Sequence, residues 1–311
     1  MDFLLAGVGL VILVFAGDAL VRGAVNLSLR LGIPALIVGL TIVAFGTSAP
    51  ELLVSTKAVL DNAPGIAIGN VVGSNIANVL LVLGLPALFF GLNTSHCDTR
   101  QSYLQMICVT VLFVVLAMLG PLTWITGLLL LAIYVAVLVN EVRNARAHRE
   151  ENGPTVLEGA DPHMSWLKIA FFLVAGLIGL PFGADILVDS ATAIARSYHI
   201  SETVIGLTLV AVGTSLPELA TTVVAAYHRH AEVALGNVIG SNIANLLAIL
   251  GVASLFGEIP IDPGILSFDL WVMLGVSLVL FPFVFLRKDI SRLWGGLLTA
   301  GYAAYVVALL V

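Results

Sequence analysis

Charge is what this 311-residue chain has least of: 13 Lys and Arg and 19 Asp and Glu make up only 10% of it, against roughly 25% in soluble proteins. Cysteine is scarcer still. Cys97 and Cys108 are too few for a disulfide framework and read as two inert thiols. No basic tract is present to meet phosphates and the net charge is −6, which sets aside a nucleic-acid binder. A basic n-region and an A-x-A-like cleavage site are also missing from the start, MDFLLAGVGLVILVFAGDAL, where Asp2 stands instead. That stretch reads as a first membrane helix, not a cleavable signal. What the chain has in excess is apolar surface, 59% of residues with a mean hydropathy of +1.09. A soluble domain of this size cannot bury so much. A soluble enzyme and a disordered chain are thereby excluded, and a polytopic membrane protein remains, whose few charges carry the information.

A bilayer crossing needs about 20 mostly apolar residues. That ruler predicts helices over 3–28, 33–59, 64–90, 102–120 and 122–141, then 166–195, 200–226, 233–256, 267–286 and 291–310. The one long polar stretch, RNARAHREENGPTVLEGADPHMS at 143–165, reads as a linker between two five-helix halves, 1–142 and 166–311. Arg30, Arg100, Arg143, Arg146, Arg149, Lys168, Arg229, Arg287, Lys288 and Arg292 all fall on the side reached after an odd number of crossings. Only Lys57 and Arg196 fall on the other, and Arg22 lies within a span. Such a bias predicts both termini outside and the linker in the cytoplasm.

The chain also repeats itself. GLTIVAFGTSAPE at 39–51 recurs as GLTLVAVGTSLPE at 206–218, and IGNVVGSNIANVLLVLG at 68–84 as LGNVIGSNIANLLAILG at 235–251. The offset is constant at 167, from Glu51 to Glu218, Asn78 to Asn245 and Asp18 to Asp185. Each half has five spans, an odd number, so the second copy is upside down relative to the first. The expected fold is all-α, ten transmembrane helices in two inverted five-helix repeats, the pattern of secondary transporters with a midplane site. A duplicated scaffold without a transport role would have no reason to keep carboxylates in lipid.

Glu51 and Glu218 sit deep in helices 2 and 7 within GTS-x-PE. Glycine and the following proline interrupt the helical ladder, which is expected to free the carbonyls of Ala44, Phe45, Ala211 and Val212. Thr47, Ser48, Thr214 and Ser215 add hydroxyls. Both strings also fit the S-x-x-E capping box, and caps are expected there. A cap does not explain a carboxylate at depth, whose burial unpaired costs at least about 2.5–3.5 kcal/mol; a bound cation or a proton supplies the missing charge. In GN-x-x-GSNIAN, Ser74 and Asn78, like Ser241 and Asn245, share a helix face at i, i+4. Their side chains either offer oxygens to the same site or glue helices together, while Gly69, Gly73, Gly236 and Gly240 allow close helix approach. The donor set is all oxygen, suited to hard cations such as Ca²⁺ and Na⁺. Two glutamates balance one Ca²⁺, two Na⁺ or two protons, the logic of an antiporter.

The paired GTS-x-PE and GSNIAN strings resemble the two repeats of the cation/Ca²⁺ exchanger superfamily, specifically prokaryotic Na⁺/Ca²⁺ exchangers, across all ten expected helices. The resemblance implies exchange of Ca²⁺ for Na⁺ across the cytoplasmic (inner) membrane, with helices 1 and 6 sliding against the rest. It implies ion coordination by Thr47, Ser48, Glu51, Ser74 and Asn78 with Thr214, Ser215, Glu218, Ser241 and Asn245. No enzyme activity and no cofactor are expected, Ca²⁺ and Na⁺ being cargo and the lipid bilayer the one partner legible. One departure stands out: Asn245 replaces the aspartate of many sodium-coupled relatives, which weakens the case for several bound Na⁺ and keeps H⁺ coupling as a rival. A passive cation channel would use the same oxygens, but channels favour a ring of subunits. Asp18 and Asp185 stand in FAGD and FGAD, neither matching the GxGD of intramembrane aspartyl proteases. Asp18 is expected to pair with Arg22 at i, i+4, while Asp185 and Asp189 either recruit Arg22 or line an access path. His228, Arg229 and His230 read as a solvated loop tip.

Overall fold

A computed structural model of the chain describes residues 2–152, 161, 163–198 and 211–310. Ten helical segments follow in order: α1 (Asp2–Leu31), α2 (Ala35–Thr47 and Ala49–Leu60), α3 (Pro64–Phe90), α4 (Arg100–Leu119) and α5 (Trp124–Asn152) in the first half. The second half has α6 (Trp166–Ser197), α7 (Ala211–Gly213 and Leu216–Tyr227), α8 (Ala231–Phe256), α9 (Ile265–Phe285) and α10 (Arg292–Leu310). Among the described residues, seven helices are long and apolar enough to cross a membrane, and α2 is an eighth if its two pieces are one span. The expected first half of helix 7, at 200–210, lies outside the described residues, as do 153–160 and 162 of the expected linker. Helix α5 continues to Asn152, so the polar stretch begins as helix.

The burial pattern inverts that of a soluble protein. Phe3, Phe15, Leu119, Leu167, Phe171 and Leu293 are all more than two-thirds exposed. Water would not tolerate such a surface on a monomer, whereas a bilayer solvates it. The dense centre is α3 and α8, whose apolar windows are 78% and 89% buried, against 17% for α5 and 22% for α6. Close approach at the centre depends on small residues. A Cβ on Gly236 would stand 2.5 Å from the Leu36 carbonyl, and one on Gly84 2.9 Å from Thr299. These glycines let α8 press on α2 and α3 on α10.

Helices α1 and α6 pack closely on each other through small residues. Gly9 meets Gly183 and Leu187, Gly176 meets Leu20, and Gly179 meets Ala16. Leu13, Ala16, Leu20, Ala24 and Leu27 of α1 cluster with Ile169, Leu180 and Ala184 of α6 and with Val38 and Val43 of α2, while Val21 and Val25 of α1 belong to the main core. Two antiparallel backbone bridges tie the halves together outside the helices. Leu92 pairs with Ile290, and Leu122 with Ile259, closing with amide–carbonyl bonds of 2.9–3.1 Å. Cys97 and Cys108 are free.

Candidate ion-binding site

The repeated strings meet at the centre of the molecule, on α2, α3, α7 and α8. In α2 the helix breaks at Ser48, whose φ of −81° and ψ of 8° leave the helical range. Pro50 lacks the amide needed to continue the ladder, and the two pieces differ in direction by 43°. In α7 the same break falls at Ser215, with φ −85° and ψ 4° before Pro217. Each break delivers a glutamate in the first turn of the following piece, and both are fully buried, Glu51 at 1% and Glu218 at 0% exposure.

Two expectations at the breaks do not hold. Neither Ser48 nor Ser215 caps the following helix through its side chain. The Ser48 hydroxyl instead donates to Glu218 Oε1 at 3.0 Å, since a carboxylate is a stronger acceptor than competing groups. The Ala44 carbonyl is not free either: it accepts the Ser48 amide at 3.0 Å, and the Thr47 hydroxyl, 3.2 Å away, divides its one hydrogen between this carbonyl and Asn237. In the second half the Ser215 amide turns to Val212 at 3.1 Å, so that carbonyl is also engaged, and the break at Ala211–Gly213 is bonded differently from its counterpart.

The breaks are held open by asparagines that the sequence pattern contained but did not assign. Asn70 donates to the Glu51 carbonyl at 3.4 Å and to Ser55 at 3.1 Å, and accepts Thr214 at 3.3 Å. Asn237 donates to the Glu218 carbonyl at 3.3 Å and to Thr222 at 3.2 Å, and accepts Thr47 at 3.1 Å. Each amide thus clamps its own half's glutamate-bearing helix and receives the threonine of the opposite half. The signal was present in the string GN-x-x-GSN, recurring at the same offset as the glutamates.

A second asparagine set locks α3 to α8. Asn78 donates to Asn242 Oδ1 at 3.0 Å, and Asn245 donates to Asn75 Oδ1 at 3.1 Å. Asn75 and Asn242 each donate to the other's carbonyl, at 3.3 and 3.4 Å. Of the two alternatives left open by the sequence, these bonds show Asn78 and Asn245 gluing the helices together. Their amide hydrogens glue the helices, and their Oδ1 atoms are left facing the interior. Each is the first residue of a π-helical turn, Asn78–Val82 and Asn245–Ile249; such turns are common at functional sites.

Eight buried oxygens in this cluster make no hydrogen bond within the protein: both of Glu51, Oε2 of Glu218, the hydroxyls of Ser74, Ser215 and Ser241, and Oδ1 of Asn78 and Asn245. Each such group costs about 1–3 kcal/mol when left unpaired, and carboxylates cost more. Among the described residues no three His, Cys, Asp or Glu side chains converge on one point, so the site's charge is that of the two glutamates. Thr47 and Thr214, by contrast, spend their hydroxyls on the asparagine clamps.

The repeats that frame this site also mark the chain's kinship. The family described as sodium/calcium exchanger protein matches residues 1–142 and 168–311. The chain belongs to the sodium/calcium exchanger family. It is 36% identical to the sodium/calcium exchanger MaX1 of Methanosarcina acetivorans over 349 aligned residues, covering 99% of this chain and 98% of that protein. It is 38% identical to the inner membrane protein YrbG of Escherichia coli, covering 97% and 94%. The fold matches the structure of the sodium-calcium exchanger NCX_Mj soaked with 10 mM Na⁺ and zero Ca²⁺, with a TM-score of 0.85 and 34% identity over 99% of this chain and 100% of that one. The fold class of this exchanger-family chain is thus the expected one, all-α, with ten helical segments among the described residues.

Outside the site, Asp18 pairs with Arg22 at 2.7 Å as expected, and also meets His228 Nε2 at 2.8 Å. That ring ties α1 to the α7–α8 turn, so His228 is more than a solvated tip. Arg22 is engaged within its own helix, and Asp185 and Asp189 are exposed on α6.

Proposed function

We propose that this member of the family is an antiporter exchanging Ca²⁺ for Na⁺ by alternating access. The observation that carries the reading is the set of eight unpartnered buried oxygens, two carboxylates among them, gathered from four helices. A hard cation satisfies such oxygens and neutralises both glutamates at once. The ligands we assign are Glu51 and Glu218, the hydroxyls of Ser74, Ser215 and Ser241 and the amide oxygens of Asn78 and Asn245, with Ser48 bridging to Glu218. Thr47 and Thr214 hold the clamps in this conformation and border the site. The Ala44 carbonyl is engaged by the Ser48 amide and the Ser215 amide goes to Val212 instead of Ala211, so of these two we keep only the Ala211 carbonyl as a candidate ligand.

Competition for a shared charge supplies the exchange. Two carboxylates balance one Ca²⁺ or two Na⁺, so one cargo leaves as the other enters without a large change in buried charge. Movement is assigned to α1 and α6, whose close mutual contacts through Gly9, Gly176, Gly179 and Gly183 suit a pair moving together. Proton coupling is the second reading, favoured by one observation: with asparagine at 245 the site has two carboxylates, and two protons balance them as well as two Na⁺ do. We further place the chain in the cytoplasmic membrane with both termini outside, residues 1–142 and 166–311 as the repeats and 143–165 as a cytoplasmic linker, on the strength of the basic-residue bias.

Reconstituted protein in Ca²⁺-loaded and Ca²⁺-free vesicles tests this. Uptake of Ca²⁺ driven by an outward Na⁺ gradient is expected, and a pH gradient of equal size should drive little. Uptake that answers only to the pH gradient selects proton coupling, and uptake indifferent to both ends the antiport reading.

A further inference from the structure

Away from the glutamates, a cavity of about 430 Å³ runs from the site toward the ends of α9 and α10. Its inner end is lined by Asn70, Ser74 and Thr214, and its outer part by Asp269, Tyr302 and Tyr305. The walls between are mostly aliphatic. Asp269 stands near the start of α9 and Tyr305 near the end of α10, so both lie close to one membrane face. By the topology assigned above that face is the outer one. The Tyr305 hydroxyl donates to Asp269 Oδ1 at 2.8 Å, which fixes the carboxylate against the cavity wall while leaving it partly exposed. It is the one acid among the residues lining this cavity.

A single fixed negative charge in a cleft with low-dielectric walls focuses its field along the cleft and raises the local concentration of cations. The pair belongs to one repeat alone. At the offset of 167 residues, Asp269 corresponds to Ser102 and Tyr305 to Leu138, so the first repeat has neither the carboxylate nor the phenol that holds it. This pair is a departure from a duplication kept closely elsewhere.

We propose that Asp269, positioned by Tyr305, captures divalent cations at the outer face and delivers them along this cavity to Ser74 and the glutamates. It lies outside the coordinating shell and acts on entry from one side, which makes the transporter's two faces unequal in apparent affinity. The proposal rests on the cation-antiport reading and on the assigned topology.

The test uses vesicles of sorted orientation. At low ionic strength, Asp269→Asn is expected to raise the half-saturating external Ca²⁺ by about 3- to 10-fold with the maximal rate retained. The shift should shrink at high concentrations of an inert salt, which screens a field acting over a cavity. Half-saturation from the opposite face should not change, and Asp269→Glu should restore the wild-type value. Tyr305→Phe, which keeps the charge but frees it, should give a smaller shift on the same face. An unchanged half-saturation, an equal rise at both faces, or a loss of maximal rate alone would overturn the proposal. Stopped-flow Ca²⁺ binding to the detergent-solubilised protein separates the two claims. If the wild type shows no exchange, antiport fails, while a slower association rate in Asp269→Asn with an unchanged dissociation rate still upholds capture, and equal association rates reject it.

Discussion

The two halves of the molecule build the same frame and then use it differently. Asn70 and Asn237 make matching pairs of bonds to the backbone of a glutamate and to a hydroxyl one turn on, and each receives the opposite threonine. Asn75, Asn78, Asn242 and Asn245 close a reciprocal lock. Against this symmetry, Ser48 bonds Glu218 whereas Ser215 leaves Glu51 without a partner. The Ser48 amide also reaches back four residues and the Ser215 amide three. Identical residues therefore hold different partners in the two copies. The frame is the invariant of the duplication, and the bonds of the ion-facing oxygens are what differ, as expected where two inverted halves exchange roles between facing states.

Replacing the glutamates breaks the comparison most severely. Glu51→Gln and Glu218→Gln each leave a divalent cation with half its balancing charge. Removing one partner from a buried ion pair costs about 3–5 kcal/mol, so Na⁺-driven Ca²⁺ uptake should fall by roughly two to four decades in each variant. Near-normal coupled uptake by either, with the protein monodisperse in detergent, would remove that glutamate from the site.

The asparagine clamps come next. Asn237→Ala and Asn70→Ala each delete bonds to a backbone carbonyl and a hydroxyl, worth about 1–3 kcal/mol when buried acceptors are left unpaired. Asn237 is fully buried and Asn70 borders the cavity, so water can replace the lost bonds only in the latter. The melting temperature should drop in both, and further for Asn237→Ala. An equal or reversed order would mean that the cavity does not hydrate position 70.

How far these features could be read from sequence depends on what each requires. The duplication, its inverted parity and both glutamates were legible because polar residues in lipid are costly and these recur at one offset. The frame was legible as a string but not as a mechanism: nothing in GN-x-x-GSNIAN says which amide donates and which oxygen is left over. The broken ladders misled in a specific way. Proline does end the hydrogen bonding, yet Ser48 keeps an amide within 3.0 Å of Ala44, so the carbonyl expected to be free is not. The asymmetry between Ser48 and Ser215 is invisible to any comparison of residues, since the residues are the same.

Asn245→Asp sharpens the comparison in the opposite sense, by adding a difference. A third carboxylate leaves the site with a net negative charge when one Ca²⁺ is bound, which an additional monovalent cation would neutralise. The Na⁺ dependence of Ca²⁺ release should become steeper, with a Hill coefficient higher than the wild type's, and the half-saturating Na⁺ should shift several-fold. The same change at Asn78 should act alike if the frame's symmetry extends to ion occupancy. An unaltered Na⁺ dependence in both would place these two amides outside the ion shell and confine them to gluing α3 to α8.

The smallest effect is expected where the halves differ at their turns. Asp18 on α1 meets His228 in the α7–α8 turn at 2.8 Å, a tie between the sliding pair and the core. By the repeat offset, the equivalent partners are Asp185 and Asp61, two acids that cannot form an ion pair. One face therefore has a latch that the other lacks, biasing the resting position of α1. Both side chains are about a third exposed, and such pairs are worth at most about 1 kcal/mol, or roughly 5-fold in an equilibrium. His228→Ala should raise apparent Ca²⁺ affinity at one face and lower it at the other by no more than that factor. Asp61→His supplies the missing base opposite Asp185 and should shift both affinities the other way. If both variants move the two faces in the same direction, the tie does not set the resting position, and the bias must come from the site's own unequal bonds.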